Sequence, residues 1–346
     1  MIAGTEQQGV RTRVAAPSYV QLEPVGQCNL RCQMCPIQYR RDGPPEGPPA
    51  FMDFALFARL VDELAPAADH LHLQGLGEPM MHPRFFEMVR YAGARGMRVT
   101  TNSNLTLLNE RRAEECVRSG LDELHVSIDG ATPATYERIR VRARFSRVAR
   151  NVALLQAARR RARATTPRLH IVAVAMRDNL EELPAIARLA HGWGAERLFV
   201  QHLCHDFAEE ALPGHYRPMR DFVDGQTLLL EDPARVERWF AATREAAEAL
   251  GLALRLPSLR PGGHAPEVPG HERCDWPWSG AYVSYDGQAM PCCMVATPDR
   301  ANFGSVRDRA FVEVWEGAGY TGFRERLASP DPPEICRGCA LYHGTF

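Results

Sequence analysis

Hydrophobic positions along this chain switch repeatedly between two periods. Short apolar runs, the mark of strands with buried faces, alternate with longer segments whose apolar residues recur every three or four positions. The short runs predict strands over 19–25, 70–74, 97–102, 123–129, 169–176 and 197–203. Between them the helical period predicts a helix beginning near Asp53, with Phe54, Phe57, Val61 and Leu64 on one face. Further helices are predicted over 84–94, 109–118, 133–161 (in two pieces) and 180–193. Asp53 is a good N-cap residue, and Gly96, Gly120 and Gly194 stand where helix C-caps belong. Six strand–helix units in series require parallel strands joined by right-handed crossovers. The expected fold is α/β, a partial (β/α)6 TIM-like barrel whose reactive face lies at the C-terminal strand ends.

The alternation fades after Leu203. A loop is expected over 206–220, an amphipathic helix over 234–250 and a Pro- and Gly-rich linker over 257–269. The expected division is a polar N-terminal tail (1–17), the barrel (18–210), a helical linker (211–262) and a small C-terminal domain (263–346). The run Gly43-Pro44-Pro45-Glu46-Gly47-Pro48-Pro49 reads as a surface loop. Arg159, Arg160, Arg161 and Arg163 read as a solvated helix face in preference to an anion site.

Composition narrows the class. With 346 residues, 45% of them hydrophobic and 24% charged, the chain has the makings of a globular protein with a large core. A net charge of −1 gives no field to draw nucleic acid or an anionic membrane. No apolar run approaches the roughly eighteen residues of a membrane span, and no signal peptide opens the sequence. A cytoplasmic location without nucleic-acid or membrane partners is expected, and there ten cysteines point to metal chemistry over disulfides. All 41 basic residues are Arg. The absence of Lys excludes a Schiff-base lysine, a pyridoxal-phosphate anchor and a Walker-A lysine.

The candidate chemistry starts at Cys28, Cys32 and Cys35, a C-x3-C-x2-C set directly after the first predicted strand. Thiolates are soft ligands for iron–sulfur or zinc sites. Three from one loop, with no fourth Cys or His nearby, suggest a [4Fe–4S] cluster with one iron open to a ligand. A structural zinc loop, which usually has paired CxxC knuckles, is the alternative. The spacing and the wording Cys28-Asn29-Leu30-Arg31-Cys32-Gln33-Met34-Cys35-Pro36 resemble the radical S-adenosylmethionine (SAM) enzymes. That resemblance implies that the open iron chelates the methionine part of SAM.

Later strand ends extend the resemblance. Gly75-Leu76-Gly77-Glu78-Pro79 is similar to the family's GGEP motif, with Leu76 as a departure, so that Gly77 and Glu78 carry the match. Thr100-Thr101-Asn102 and Ser127-Ile128-Asp129-Gly130 resemble strand ends that line the SAM pocket, and Arg140 matches an arginine that pairs with the SAM carboxylate. The implied cofactor-binding residues are Gly77, Glu78, Asn102, Ser127, Asp129 and Arg140. A second set, Cys274, Cys292, Cys336 and Cys339, offers four thiolates, with Gly287 five residues before Cys292 and a CxxC knuckle at Cys336. It resembles the twitch domain, the short form of the SPASM domain, and implies one auxiliary [4Fe–4S] cluster; a Zn(Cys)4 site has the same ligand count. Cys293 would point the opposite way from Cys292 in an extended backbone. Cys116 reads as a core residue.

Cys204 follows the sixth predicted strand within Gln201-His202-Leu203-Cys204-His205-Asp206. On the reactive face its thiol could return a hydrogen atom to a substrate radical; a buried inert thiol is the other reading. His202, His205 and Asp206 are candidate bases or substrate contacts, or else polar residues of a surface loop. The resemblance implies reductive cleavage of SAM to a 5′-deoxyadenosyl radical, with flavodoxin or ferredoxin as electron donor. Only 27 residues precede Cys28, which leaves no room there for a peptide-recognition domain. The expected substrate is therefore a hydroxyl-rich small molecule, a sugar, aminocyclitol or nucleoside of an antibiotic-type pathway. Dehydrogenation is the expected outcome, with epimerisation or decarboxylation also open. The alternatives are a peptide maturase that forms a crosslink and a non-catalytic iron–sulfur scaffold or electron carrier.

Overall fold

The computed structural model describes residues 14–43, 46–203, 207–262, 274–295 and 297–346. From the N-terminus, β1 (Tyr19–Leu22) leads into a loop holding the short β2 (Arg31–Cys32), then α1 (Phe54–Leu64), β3 (His70–Leu73), α2 (Phe85–Gly93) and β4 (Arg98–Ser103). Next come α3 (Glu110–Arg118), β5 (Glu123–Ser127), α4 (Pro133–Ile139), β6 (Arg140–Val141), α5 (Phe145–Ala162), β7 (Arg168–Val174), α6 (Leu183–Gly192) and β8 (Arg197–Gln201). The remainder holds α7 (Arg217–Gln226), α8 (Pro233–Ala249), β9 (Ala253–Arg255), β10 (Gly280–Val283) and β11 (Ala289–Met290), with short helices beyond.

One sheet runs in the order β11-β10-β1-β3-β4-β5-β7-β8-β9, parallel throughout except for the β10–β11 hairpin. The strand pleat sorts residues onto its two faces. Leu22, Leu71, Leu73, Val99, Leu124, Val126, Leu169, Ile171 and Val200 are buried under the helices. The other face carries His72, Thr100, Asn102, Glu123, His125, Ser127 and His170, so the inside of the curled sheet is polar. Asp53 caps α1 by accepting from the backbone N–H groups of Ala55 and Leu56 at 2.9 and 3.0 Å. Gly96, Gly120 and Gly194 have φ of 83°, 80° and 72° and end their helices in the left-handed region.

Several strands end two residues earlier than the apolar runs predict, because side chains take over from the ladder. Asp129 Oδ1 accepts from the Val174 N–H at 2.8 Å, and the Asn179 amide donates to the Asp129 and Val174 carbonyls. The 133–161 helix splits where Arg140 and Val141 leave it to pair antiparallel with Cys32 and Arg31. β10 and β9 join opposite sides of the six-stranded array, in register with Tyr19–Leu22 and with Arg197–Phe199 respectively. The segment expected to be a helical linker thus contributes a strand, and the C-terminal part contributes two. Their runs are too short to show a period, and all four residues of β10 are buried. Among the described residues no helix is long and apolar enough to cross a membrane.

Candidate active site

The first cysteine set hangs from the C-terminal end of β1. Cys28 Sγ accepts from the Leu30 N–H at 3.4 Å and from Asn104 Nδ2 at 3.6 Å. Asn104 also donates to Asn29 Oδ1, and its own carbonyl oxygen accepts from the Thr106 hydroxyl and backbone N–H. Cys32 is held by the β2–β6 pairing, with Arg140 Nη1 at 3.9 Å from its sulfur. Burial pushes all three thiols up, and each is raised further by the negative charge its neighbours would carry; Cys35 reaches about 12. Three soft donors that cannot share a buried space as thiolates without a cation fit a cationic iron–sulfur centre. A single zinc with Zn–S bonds of about 2.3 Å needs its sulfurs about 3.8 Å apart. Among the described residues, no three sulfurs of either cysteine set lie mutually within 4.8 Å.

The expected cofactor contacts surround this loop, and the structure gives several of them partners of their own. A Cβ on Gly77 would lie 1.9 Å from the Val25 carbonyl oxygen, so glycine is required for the turn to press against the cysteine loop. The Glu78 N–H donates to the Gln27 carbonyl at 2.9 Å. The Glu78 carboxylate accepts from the Ser103 hydroxyl (2.7 Å) and from the N–H groups of Asn104 (2.8 Å) and Met80 (3.1 Å). Asp129 is fully buried and pairs through Oδ2 with Arg140 Nε at 2.7 Å. Burial raises both carboxyl groups, while these bonds and Arg140 oppose the rise. Asn102 and Ser127 lie on the inner face at the C-terminal ends of β4 and β5, and Asn102 Oδ1 is buried without a hydrogen-bond partner. An orphaned buried acceptor at the C-terminal end of β4 is what a hydroxyl- or amine-bearing cofactor would satisfy.

The second set also converges. The Cys292 thiol is pushed up first by burial and then by Cys293, Cys339, Cys274 and Cys336. Cys336 lies within the one-turn helix Glu334–Arg337 and Cys339 two residues past its end, with the Cys339 N–H donating to the Cys336 carbonyl at 3.2 Å. Cys293 departs from expectation. Residues 293–295 form a turn, not an extended strand, and Cys293 interacts electrostatically with Cys339 and Cys274. Cys116 is fully buried in the core, as its helical position implies.

Cys204, His205 and Asp206 lie outside the described residues. His202 is fully buried, and its Nε2–H donates to the Ser258 carbonyl at 3.0 Å, tying the end of β8 to the chain after β9. Burial lowers its pKa and keeps the ring neutral. An open cleft of about 720 Å³ lies by the exit of the cysteine loop, lined by Arg41, Asp42, Pro213, Gly214, His215 and Asp299.

Two contributors were not singled out from the sequence. Asn104 stands within the Thr100–Asn104 stretch, where only Thr100-Thr101-Asn102 matched a motif. Arg40 and Glu23 form a buried pair at 2.6 Å, and Arg40 Nε and Nη2 grip Asp42 at 2.7 Å each. Glu23 also accepts from the N–H groups of Leu76 (3.0 Å) and Tyr285 (3.3 Å). This pair therefore ties the cysteine loop to the Gly75–Pro79 turn and to the C-terminal part. A charged pair spaced seventeen residues apart carries no local signal.

Comparison with known proteins agrees with this arrangement. Residues 22–190 match the radical SAM superfamily model, and residues 274–340 match the SPASM model, an iron–sulfur cluster-binding domain. A tungsten-containing aldehyde ferredoxin oxidoreductase cofactor-modifying protein of Pyrococcus furiosus is 27% identical, over 93% of this chain and 87% of its own. An AdoMet-dependent heme synthase of Methanosarcina barkeri is 27% identical (94% and 88% covered), and a PqqA peptide cyclase of Ruegeria pomeroyi 29% (94% and 80%). Among solved structures, Streptococcus suis SuiB bound to its precursor peptide SuiA superposes with a TM-score of 0.69 at 13% identity, over 95% of this chain and 71% of SuiB. The fold, the two cysteine sets and these matches agree: the chain is a radical SAM enzyme that carries a C-terminal SPASM-type iron–sulfur domain, with [4Fe–4S] clusters and SAM as its cofactors.

Proposed function

We propose that this enzyme modifies a peptide, forming a bond between two of its positions. The observation that carries the reading is the recurrence of PqqA peptide cyclases among its relatives, at 25–29% identity over about 94% of this chain. None of the three relatives named above carries a sugar, aminocyclitol or nucleoside in its name, where a hydroxyl-rich small molecule was expected from the sequence. That expectation rested on the shortness of the segment before Cys28, which is a weak argument.

In this reading Cys28, Cys32 and Cys35 hold the SAM-binding cluster, and Cys274, Cys292, Cys336 and Cys339 hold the auxiliary one. When bound, the first cluster and SAM supply a 5′-deoxyadenosyl radical, after one electron from a donor such as flavodoxin or ferredoxin. The chain's part is to position and exclude water. Glu78 locks the turn after β3 onto β4 and so fixes the main chain of Gly77 beside the cysteines. Asp129 orients Arg140, leaving Nη1 directed at the cysteine loop, where a SAM carboxylate would be received. Asn102 and Ser127, at the ends of β4 and β5, would offer polar atoms to a ribose. Joining two peptide positions removes two hydrogens, one as an atom and the other as a proton and an electron; the auxiliary cluster that Cys274, Cys292, Cys336 and Cys339 would hold would supply the electron acceptor.

The test is co-expression with each short peptide encoded beside the gene, followed by mass spectrometry. The expected result is a peptide lighter by a pair of hydrogen atoms, with the new linkage located by fragmentation. If no peptide changes mass, while a small polyol stimulates 5′-deoxyadenosine formation and is itself oxidised, the peptide reading is wrong.

A further inference from the structure

The N-terminal end of the barrel, opposite the cysteine loop, holds a group of side chains that SAM chemistry does not use. Glu123 and His125 are two residues apart on β5 and project from one face of that strand. His170 stands on β7 directly across from His125 in the parallel register. The ligand atoms of the three lie within 4.8 Å of one another. His125 Nε2 is 3.2 Å and His170 Nδ1 3.7 Å from the same atom, Glu123 Oε2.

The surroundings hold this group in place and leave one atom unsatisfied. Glu123 Oε1 accepts from Arg98 Nη1 at 3.2 Å and from Arg168 Nη2, which turns Oε2 toward the two imidazoles. His170 is 4% exposed, and its Nδ1 has no hydrogen-bond partner. At 3.7 Å the carboxylate is too far to serve as one. His72, also on the inner face, shows the contrast: its nitrogens meet Thr100 Oγ1 at 2.7 Å and Gln74 Oε1 at 2.9 Å. A buried nitrogen aimed at a carboxylate and a second imidazole, yet bonded to neither, marks a space where something is missing.

We propose that Glu123, His125 and His170 bind a divalent transition-metal ion of the zinc class, distinct from both iron–sulfur sites. Two imidazole nitrogens and one carboxylate oxygen are a common zinc donor set, and they leave a fourth position for water. With bonds of about 2.0–2.1 Å, tetrahedral ligand atoms lie about 3.3 Å apart, close to the separations already present. Arg98 and Arg168 act on the far oxygen, orienting the carboxylate as outer-shell partners orient metal ligands elsewhere. The ion would bridge β5 and β7 where the inner face is most polar.

The test uses the holoenzyme with both cysteine sets filled, stripped of loosely bound metal and titrated with Zn2+ by calorimetry. A single equivalent of zinc per chain should bind, and zinc-edge X-ray absorption should show nitrogen and oxygen scatterers without sulfur. His170→Gln should weaken zinc binding by about 100-fold or more, while leaving iron content and 5′-deoxyadenosine formation unchanged. Should that variant not fold, His125→Gln serves the same purpose, and the wild-type titration and spectrum stand by themselves. The absence of stoichiometric binding, sulfur scattering at the zinc edge, or wild-type affinity in the variant would overturn the proposal. Each of these outcomes would leave a hydrogen-bonded polar plug as the role of the group.

Discussion

Replacing Arg40 with Met tests whether the buried pair at the end of β1 holds the site together. The Arg40 and Glu23 side chains are both 0% exposed and 2.6 Å apart, so solvent does not screen them. Burial alone would lower the Arg40 pKa, but Glu23 and Asp42 hold it well above the usual value. Removing the guanidinium leaves a buried carboxylate without its cation, a change that typically costs about 3–5 kcal/mol. Two features place the cost near the lower figure. Glu23 keeps its bonds from the Leu76 and Tyr285 N–H groups, and Asp42, 24% exposed, can turn to water. We expect Arg40→Met to lose about 3 kcal/mol, and the double variant Arg40→Met/Glu23→Gln to regain at least about 1 kcal/mol of that. The assay is anaerobic urea unfolding, comparing midpoints at equal slope, with SAM affinity measured alongside. SAM affinity should fall in the single variant, because the exit of the cysteine loop at Arg40 and Asp42 is no longer tied to Glu23 at the end of β1. A single variant within about 0.5 kcal/mol of wild type, or strict additivity in the double, would refute this account.

Three further outcomes are expected. Replacing Cys28, Cys32 and Cys35 together with Ala should lower iron from about eight to about four per chain and abolish 5′-deoxyadenosine formation; iron analysis that still finds about eight contradicts the ligand assignment. Asp129→Asn should weaken SAM binding by about tenfold or more without loss of iron, because Arg140 loses its charged partner; calorimetry showing wild-type affinity would count against it. His72 has its pKa lowered to about 3, by burial first and by neighbouring His125 second, so the folded protein holds it neutral. Its unfolded value is about 6.5, so stability is complete above that pH and falls as pH drops toward the folded value, by about 1.4 kcal/mol per pH unit. His72→Gln should flatten this slope in urea midpoints taken between about pH 7 and pH 5, and an unchanged slope would reject the assignment.

The outer face of the barrel was readable in the sequence because burial there follows a period. Val99, Leu124, Val126, Leu169 and Ile171 alternate with polar residues, and the glycine caps fix the helix ends. The inner face gave the opposite impression. His72, His125, Glu123 and His170 form a polar row whose pattern carries no burial signal, yet they are buried or nearly so, because the sheet curls over them. Alternation tells which residues share a face, not whether water reaches that face. β10 was missed for a related reason: Gly280–Val283 is buried throughout, and a strand buried on both sides has no period. The cysteine spacing was legible because metal ligation constrains sequence distance directly. Glu78 and Asp129 were legible as positions, but their bonds to Ser103, Asn104, Val174 and Arg140 depend on neighbours that only the fold brings close.

The exclusive use of arginine takes on physical meaning at the seams between these parts. Arg40 joins the cysteine loop to Tyr285 of the C-terminal part, stacking over its ring at 5.2 Å. Arg300 pairs with Glu209 at 2.5 Å, with both side chains under a tenth exposed, and so connects the C-terminal part to the segment after β8. Inside the C-terminal part itself, Arg324, 4% exposed, donates to the Pro277 and Trp315 carbonyls and packs over the Trp315 ring at 4.2 Å. Each of these contacts uses two or more donors of one planar group, or its flat face, at a place closed to water. An ammonium group offers no such fork and is more strongly hydrated, so its burial there would cost more and satisfy fewer acceptors. Substituting Lys at these positions would therefore keep the charge and lose the seam. The iron–sulfur domain is thus held to the barrel by geometry that only a guanidinium supplies, as much as by the strand pairing of β10 with β1.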